Sequence, residues 1–369
     1  GDSLLDLGAC AADLGHPDAG LLGTPTLNTF MAAGPETWGR VRSAVSEWLS
    51  EPELRARVGS HLVPLGDVEL VLPFEVADYV DFYSSEHHAK NVGRIFRPQS
   101  PSLPAAWRYL PIGYHGRSGT VAVSGTPVRR PAGQHRAPEG GAGPGPVFGP
   151  CGELDFEAEV GFVVGVGSRL GDQVPVSRWR RHVFGVVLVN DWSARDIQSF
   201  EYVPLGPMLG KSFLTSVGAF VVPIEALEAA FVEPPGRDPL PPPHLDDSGA
   251  RAGIDISIEV SLGGKVISRP PFKTMYWTAA QQLAHMTSNG GSLRTGDLFA
   301  SGTVSGEAES EWGSLLELAW RGERPLDIGG GEHRSFLLDG DTLSITASAP
   351  GPAGTRIGFG EVCGTVVAR

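Results

Sequence analysis

Cysteine is scarce in this chain of 369 residues: Cys10, Cys151 and Cys363 are the only three. They lie far apart and form no Cys-x-x-Cys pair, which argues against a disulfide framework and against a thiolate zinc site. Long apolar runs are missing too. The strongest central stretch, Val183 to Val189, is interrupted by Gly185 and falls far short of the roughly 20 residues a membrane span needs. Positive charge is in deficit, with 29 Lys and Arg against 42 Asp and Glu and a formal net charge of −13. A nucleic-acid or anionic-membrane partner is therefore not expected, because phosphate binding depends on Lys and Arg. No charged segment followed by an apolar stretch opens the chain at Gly1, so no export signal is read and a reducing cytoplasm is the expected location.

Several catalytic signatures are absent as well. No serine has glycine two before and two after it, and there is no His-Glu-x-x-His and no Gly-x-x-x-x-Gly-Lys-Ser/Thr phosphate loop. Gly165-Val-Gly-Ser-Arg-Leu-Gly171 imitates a dinucleotide fingerprint, but its third glycine comes one residue late and the strand–helix–strand context is missing, so it reads as a turn.

What is present is a turn-rich, apolar-sufficient sequence with 50 glycines, 31 prolines and 41% hydrophobic residues. Short β-type runs recur from about residue 74 onward: Val121–Ser124, Phe156–Val164, Val183–Asn190, Ala219–Val222, Ile254–Leu262, Leu315–Trp320 and Leu343–Ala347. They predict a mainly β body. Helical spacing appears at Glu36–Val58, with a break expected at Glu51-Pro52, and at Tyr276–Thr287. Val68 to Pro73 reads as a strand or linker between a small N-terminal unit, residues 1–73, and the main body, residues 74–369. Pro131–Pro150 and Glu233–Ala250 read as loops by composition.

Chemistry concentrates in acidic residues. In Leu154-Asp-Phe-Glu-Ala-Glu-Val160 the acids alternate with apolar residues, so an unbroken strand would put Asp155, Glu157 and Glu159 on one face. Such a face is either an exposed charged edge or a cation site, since like carboxylates repel. Asp191 ends an apolar strand and Asp81 sits among aromatics in Asp78-Tyr-Val-Asp-Phe-Tyr83. Asp81, Glu157, Glu159 and Asp191 together would make an all-oxygen site for a hard cation, Mg²⁺ or Ca²⁺. His87, His88, Arg97, Arg195 and Lys211 stand near these acids in sequence. Each also has a purely structural reading, and together they leave the reaction undetermined.

The motifs resolve this. Asp78-Tyr-Val-Asp-Phe-Tyr-Ser-Ser-Glu-His-His-Ala-Lys-Asn-Val-Gly93, Leu110-Pro-Ile-Gly-Tyr-His-Gly-Arg117, Asn190-Asp-Trp-Ser-Ala-Arg-Asp-Ile-Gln198, Glu201-Tyr-Val-Pro-Leu-Gly-Pro207, Gly210-Lys-Ser-Phe213 and Gly296-Asp-Leu-Phe-Ala-Ser-Gly-Thr-Val-Ser-Gly306 closely resemble the fumarylacetoacetase family. So do Met275-Tyr-Trp-Thr278 and Phe336-Leu-Leu-Asp-Gly-Asp341, and the likeness runs nearly unbroken from about residue 74 to the end. It implies a small N-terminal SH3-like β domain, a large C-terminal mixed β-sandwich roll, and a homodimer. The implied reaction is hydrolysis of 4-fumarylacetoacetate, a diketo diacid, to fumarate and acetoacetate, the last step of tyrosine and phenylalanine degradation.

By motif position, the resemblance implies Asp81, Glu157, Glu159 and Asp191 as metal carboxylates, with Lys211 and Thr215 around them. It implies Tyr83, Arg97, Gln198, Tyr202 and Thr303 as substrate contacts, His88 as general base with Glu317 as its partner acid, and Arg195, Gln198 and Lys211 as oxyanion donors. Position 87 is also histidine, so the choice of His88 rests on motif register. Leu214 departs from the small residue common at that position, and the chain starts late relative to the family's N-terminal domain. Rival readings are acylpyruvate hydrolysis, oxaloacetate decarboxylation or diene-diacid isomerisation in the same superfamily, or a non-catalytic cation-binding β protein.

Overall fold

A computed structural model describes residues 2–137 and 145–369, and the middle of the Pro131–Pro150 segment lies outside them. The body is mainly β, as its short apolar runs predict. Its main sheet orders the strands Gly113–His115, Tyr79–Phe82, Leu298–Ala300, Ala158–Val164, Val183–Asp191, Thr215–Val217 and Val121–Val123, with Val222–Pro223 pairing beside Val183–Asp191. A five-stranded sheet runs Lys265–Ser268, Ser257–Leu262, Thr342–Pro350, Arg356–Val367 and Val128–Arg129.

The two central strands read as continuous apolar runs because both of their faces are covered. Val160, Phe162, Val164, Val186 and Leu188 join one core with Ile258, Val260, Ile345, Phe359 and Val362 of the five-stranded sheet. The alternate residues Val163, Val187 and Val189 join a second core with Phe30, Met31, Trp38 and Val41 from the N-terminal segment. Side chains of a strand alternate between faces, so one run of valines can feed two cores. At about 25 cal/mol per Å² of apolar surface, such two-sided burial is the main favourable contribution in folding.

The N-terminal segment leaves one expectation unconfirmed. It forms five helices and, among its described residues, a single two-stranded sheet of Ser3–Leu5 with Leu62–Pro64, so SH3-like character is not confirmed. The helix Pro35–Ser50 starts with proline at its first turn and stops at Glu51 before Pro52, where the interruption was expected. Its Trp38 and Val41 face the main sheet. Val68–Leu72 is linker rather than strand.

Two further local readings change. Leu315–Trp320 is not a strand: Leu315–Leu318 is one helical turn, because Ser314 Oγ accepts from the Glu317 amide at 3.3 Å and Asp155 accepts from the Leu315 and Leu316 amides at 2.8 and 3.0 Å. The compositional loop Pro131–Pro150 contains a paired hairpin, Ala132–His135 with Val147–Pro150. The loop Glu233–Ala250 is pinned inward by Arg237, which donates to the Tyr276 carbonyl at 2.7 Å and to Gln281 Oε1 at 3.0 Å. The helix at Ala279–Thr287 stands as expected, started by a capping box of Thr278 and Gln281. Among the described residues no helix is long and apolar enough to cross a membrane.

One glycine positions the site directly. Gly302 has φ +76°, and a Cβ there would lie 2.1 Å from the Phe82 carbonyl oxygen, which lets the chain turn tightly into Thr303. Gly302→Ala is expected to destabilise the protein by more than about 1 kcal/mol, because both the backbone conformation and the space are refused to alanine. Urea unfolding measures the effect, and an unchanged midpoint would count against this account.

Candidate active site

Three strands deliver the four acids. Asp81 lies on Tyr79–Phe82 and pairs in register with Ala300, Glu157 and Glu159 flank the start of Ala158–Val164, and Asp191 ends Val183–Asp191 opposite Thr215. Asp81, Glu157, Glu159 and Asp191 each place an oxygen within 4.8 Å of the others, and all four are buried. The three-acid face expected from alternation does not form, however. The strand is broken at Phe156-Glu157, and Asp155 belongs to a separate short pairing with Ser193. It turns away from the cluster to hold Arg195, with Nε to Oδ2 at 2.8 Å.

Unpartnered carboxylate oxygens fit the cluster to a cation. Among the described residues Asp81 Oδ1 and both carboxylate oxygens of Glu159 are buried without a hydrogen-bond partner. Burial first, and then the neighbouring carboxylates, push Asp81 and Glu159 well above the usual carboxylate range. A buried carboxylate without a partner is costly, so a group of them calls for a divalent cation with hard oxygen preference. The residues present therefore fit a divalent metal.

The other two acids are already compensated. Lys211 Nζ donates to Glu157 Oε2 at 2.6 Å and to Asp191 Oδ2 at 2.8 Å, and Arg195 Nη1 donates to Glu157 Oε1 at 2.7 Å. Burial opposes ionisation of Glu157, but the charges of Lys211 and Arg195 outweigh it and hold its carboxyl well below the usual range. Asp191 also accepts from Thr215 Oγ1 at 3.0 Å and Tyr114 OH at 2.8 Å. Lys211 and Thr215 thus stand around the cluster as donors to its carboxylates, and an ammonium has no lone pair to offer a metal.

A cavity of about 400 Å³ opens onto this cluster. It brings together Tyr83, Arg97, Gln198, Tyr202 and Thr303 with His88, Arg195, Lys211, Asp81 and Glu157, while Phe82, Val92, Phe96, Pro104 and Ile112 supply apolar wall. Glu159, Asp191, Thr215 and Glu317 do not line it and lie behind. Thr303 Oγ1 is buried and has no partner among the described residues.

His88 sits in the helix Glu86–Phe96, which Ser85 caps by accepting the His88 amide at 3.2 Å. Its Nδ1 is 2.7 Å from Glu317 Oε2. An ionised carboxylate can only accept, so Nδ1 carries the proton and Nε2 is left as the basic nitrogen. His87 neither lines the cavity nor reaches Glu317, which separates the adjacent histidines.

Glu317 is held by more than its histidine. Asn91 Nδ2 donates to Oε1 at 3.0 Å, and Ser305 and Ser314 Oγ donate to Oε2 at 2.9 and 2.8 Å. Burial would raise its pKa, but the His88 charge and these hydrogen bonds prevail and lower it. Asn91→Leu strips Oε1 of its donor and is expected to cost about 1–3 kcal/mol of stability. Because the folded pKa of Glu317 is depressed, its contribution is present above the unfolded pKa and lost as pH falls through the folded value. The variant's deficit should therefore be largest near neutral pH and shrink in acid, as denaturant titrations at several pH values will measure.

Sequence reasoning missed Tyr114, Asn91, Ser305 and Ser314. Tyr114 lay inside a quoted motif without a role, and Asn91, three residues after His88 on a helix, shares its face. Ser305 likewise lay inside a motif without a role, and Ser314 opens a Ser-x-x-Glu pattern with Glu317 that could have marked a helix start.

Comparison with known proteins identifies the family. A family model described as "Fumarylacetoacetate (FAA) hydrolase C-terminal" matches residues 78–367, and one described as "Fumarylacetoacetase N-terminal" matches residues 1–73. The chain is 47% identical to fumarylacetoacetase of Homo sapiens over 354 residues, covering 93% of this chain and 83% of that one. It is 44% identical to fumarylacetoacetase of Bos taurus (100% and 90% covered) and 42% identical to that of Arabidopsis thaliana (100% and 90% covered). Among solved structures, a fumarylacetoacetate hydrolase from Exiguobacterium antarcticum aligns with TM-score 0.52 at 18% identity, covering 84% of this chain and 82% of that one, a likeness of fold alone. With both family models matched in order along the chain and relatives above 40% identity over nearly its whole length, the protein belongs to the fumarylacetoacetase family.

Proposed function

We propose that this chain hydrolyses the carbon–carbon bond of 4-fumarylacetoacetate to fumarate and acetoacetate, as the names of its relatives and the site support. The observation that carries the reading is the opening of one cavity onto both a His–Glu pair and a buried four-carboxylate cluster. Asp81, Glu157, Glu159 and Asp191 would hold Mg²⁺ or Ca²⁺, which when bound supplies Lewis-acid polarisation of diketone oxygens.

The protein's own groups account for the remaining chemistry. His88 Nε2 takes a proton from water, and Glu317 keeps Nδ1 protonated and stabilises the imidazolium that results. The water oxygen attacks the carbonyl carbon of the fumaryl group. Arg195, Gln198 and Lys211 are the donors for the resulting oxyanion; Lys211 directs two of its three N–H groups at Glu157 and Asp191, leaving one. Breaking the carbon–carbon bond leaves hydroxyl oxygen on fumarate, and the departing acetoacetate carbon regains the proton His88 removed. Arg97 pairs with a substrate carboxylate, and Tyr83, Tyr202 and Thr303 orient the chain of the diacid. These local cations and hydroxyls offset an overall charge of −13 that repels an anionic substrate.

The same reading includes a division at residues 73 and 74, a homodimer and a cytoplasmic location. Loss of the substrate's ultraviolet absorbance, followed before and after chelation and after Mg²⁺ or Ca²⁺ is restored, tests it. Metal-dependent loss with fumarate as product is expected. Absence of turnover by folded, metal-loaded protein would move the assignment to the acylpyruvate hydrolases and decarboxylases.

A further inference from the structure

Asp155 is the acid that the alternating pattern singles out and the metal cluster leaves unused. Its side chain is completely buried, with no surface exposed, and neither of its oxygens is idle. Oδ2 accepts from Arg195 Nε at 2.8 Å and from the Leu316 amide at 3.0 Å. Oδ1 accepts from the Leu315 amide and from its own neighbour Phe156, both at 2.8 Å. One carboxylate thus grips two things 120 residues apart in the chain: a guanidinium that continues to Glu157 at 2.7 Å and Gln198 at 3.1 Å, and the single helical turn that carries Glu317.

Neither attachment is well fixed without it. The turn Leu315–Leu318 has four residues and cannot hold its own shape, since an isolated turn is unstable and its first amides have no partners within it. Arg195, only 2% exposed, would point a buried charge at Glu157 alone. We propose that Asp155 is a positioning residue that sets Arg195 and the Glu317–His88 pair relative to each other, so that the oxyanion donor and the base share one brace. This rests on the functional reading above.

The test uses full-length protein and the variants Asp155→Asn, Glu317→Gln and Arg195→Lys, alone and in the two pairs with Asp155→Asn. Asp155→Asn keeps the shape and removes the charge, and its kcat is expected to fall about 10–100-fold, as for other supporting partners of a site, with KM little changed. In both pairs the losses are expected to be non-additive, each second substitution costing less than it does alone, because the brace is already gone. Full additivity in both pairs, or an unchanged kcat, overturns the proposal. A readout independent of turnover accompanies the kinetics: the His88 Nδ1 proton, observed by NMR, is expected to shift upfield or vanish in Asp155→Asn. An unmoved resonance overturns the link to Glu317.

If Asp155→Asn does not fold, Asp155→Glu keeps the charge, displaces it by one methylene, and is held to the same outcomes. Wild-type protein that shows the proton but does not turn over the diketo acid refutes the functional reading instead, and the resonance then decides the role of Asp155.

Discussion

Replacing His88 with alanine is expected to lower kcat about 10²–10⁴-fold, the range contributed by a positioned general base. The effect should fall on kcat, because the proposed role of the imidazole is to act on water and the proposed substrate contacts Tyr83, Arg97 and Thr303 remain. Metal affinity, measured by calorimetry, should stay close to that of the parent, since none of the four clustered acids bonds to His88. Stability will not be wholly unaffected: Glu317 loses one of four donors but keeps Asn91, Ser305 and Ser314. His87→Ala is the matched control and should retain activity. Full activity in His88→Ala would sink the base assignment.

The second large effect separates two carboxylates that stand two residues apart. Glu157→Ala should both weaken metal binding and destabilise the protein by about 3–5 kcal/mol, because it leaves Lys211 and Arg195 as buried charges short of a partner. Glu159→Gln should weaken metal binding equally plainly yet stabilise the metal-free protein, since it removes a buried, unpartnered carboxyl whose ionisation burial and the neighbouring carboxylates oppose. Opposite signs in the metal-free melting temperature are the expected result, and the same sign in both would overturn the division of the cluster into compensated and uncompensated acids.

A pH dependence follows from the same division. The pKa values of Asp81 and Glu159 in the metal-free folded state are raised above their unfolded values, so the native state binds more protons there. Their contribution therefore declines as pH rises from the unfolded toward the folded pKa. Saturating Mg²⁺ should abolish that decline, because bound metal favours the charged carboxylates. Thermal melts across pH with and without Mg²⁺ measure it.

Much of the body was legible from local pattern. The apolar runs around Phe162 and Leu188 announce strands, the spacing of Tyr276–Thr287 announces a helix, and Asp81, Glu157, Glu159 and Asp191 stand out as acids in apolar or aromatic surroundings. Each of these signals lies within a few residues, where side-chain alternation and helical spacing act. Motif resemblance added Glu317, Gln198 and Thr303, which no spacing rule reaches.

Tertiary structure alone decided the rest. Whether Asp155 joined the metal acids depended on a break at Phe156-Glu157, and that break is stabilised by partners far along the chain, Arg195, Leu315 and Leu316. Leu315–Leu318 reads as a strand by composition and becomes a helical turn only because Asp155 and Ser314 accept its first amides. The His88–Glu317 pair spans 229 residues, and only the packing of both against one core brings the groups to 2.7 Å. Local sequence thus determined which segments form strands and which acids are unusual, since those depend on neighbours in the chain. Which acid holds a metal, which holds an arginine and which holds a histidine depends on the charges and amides that folding places beside each one.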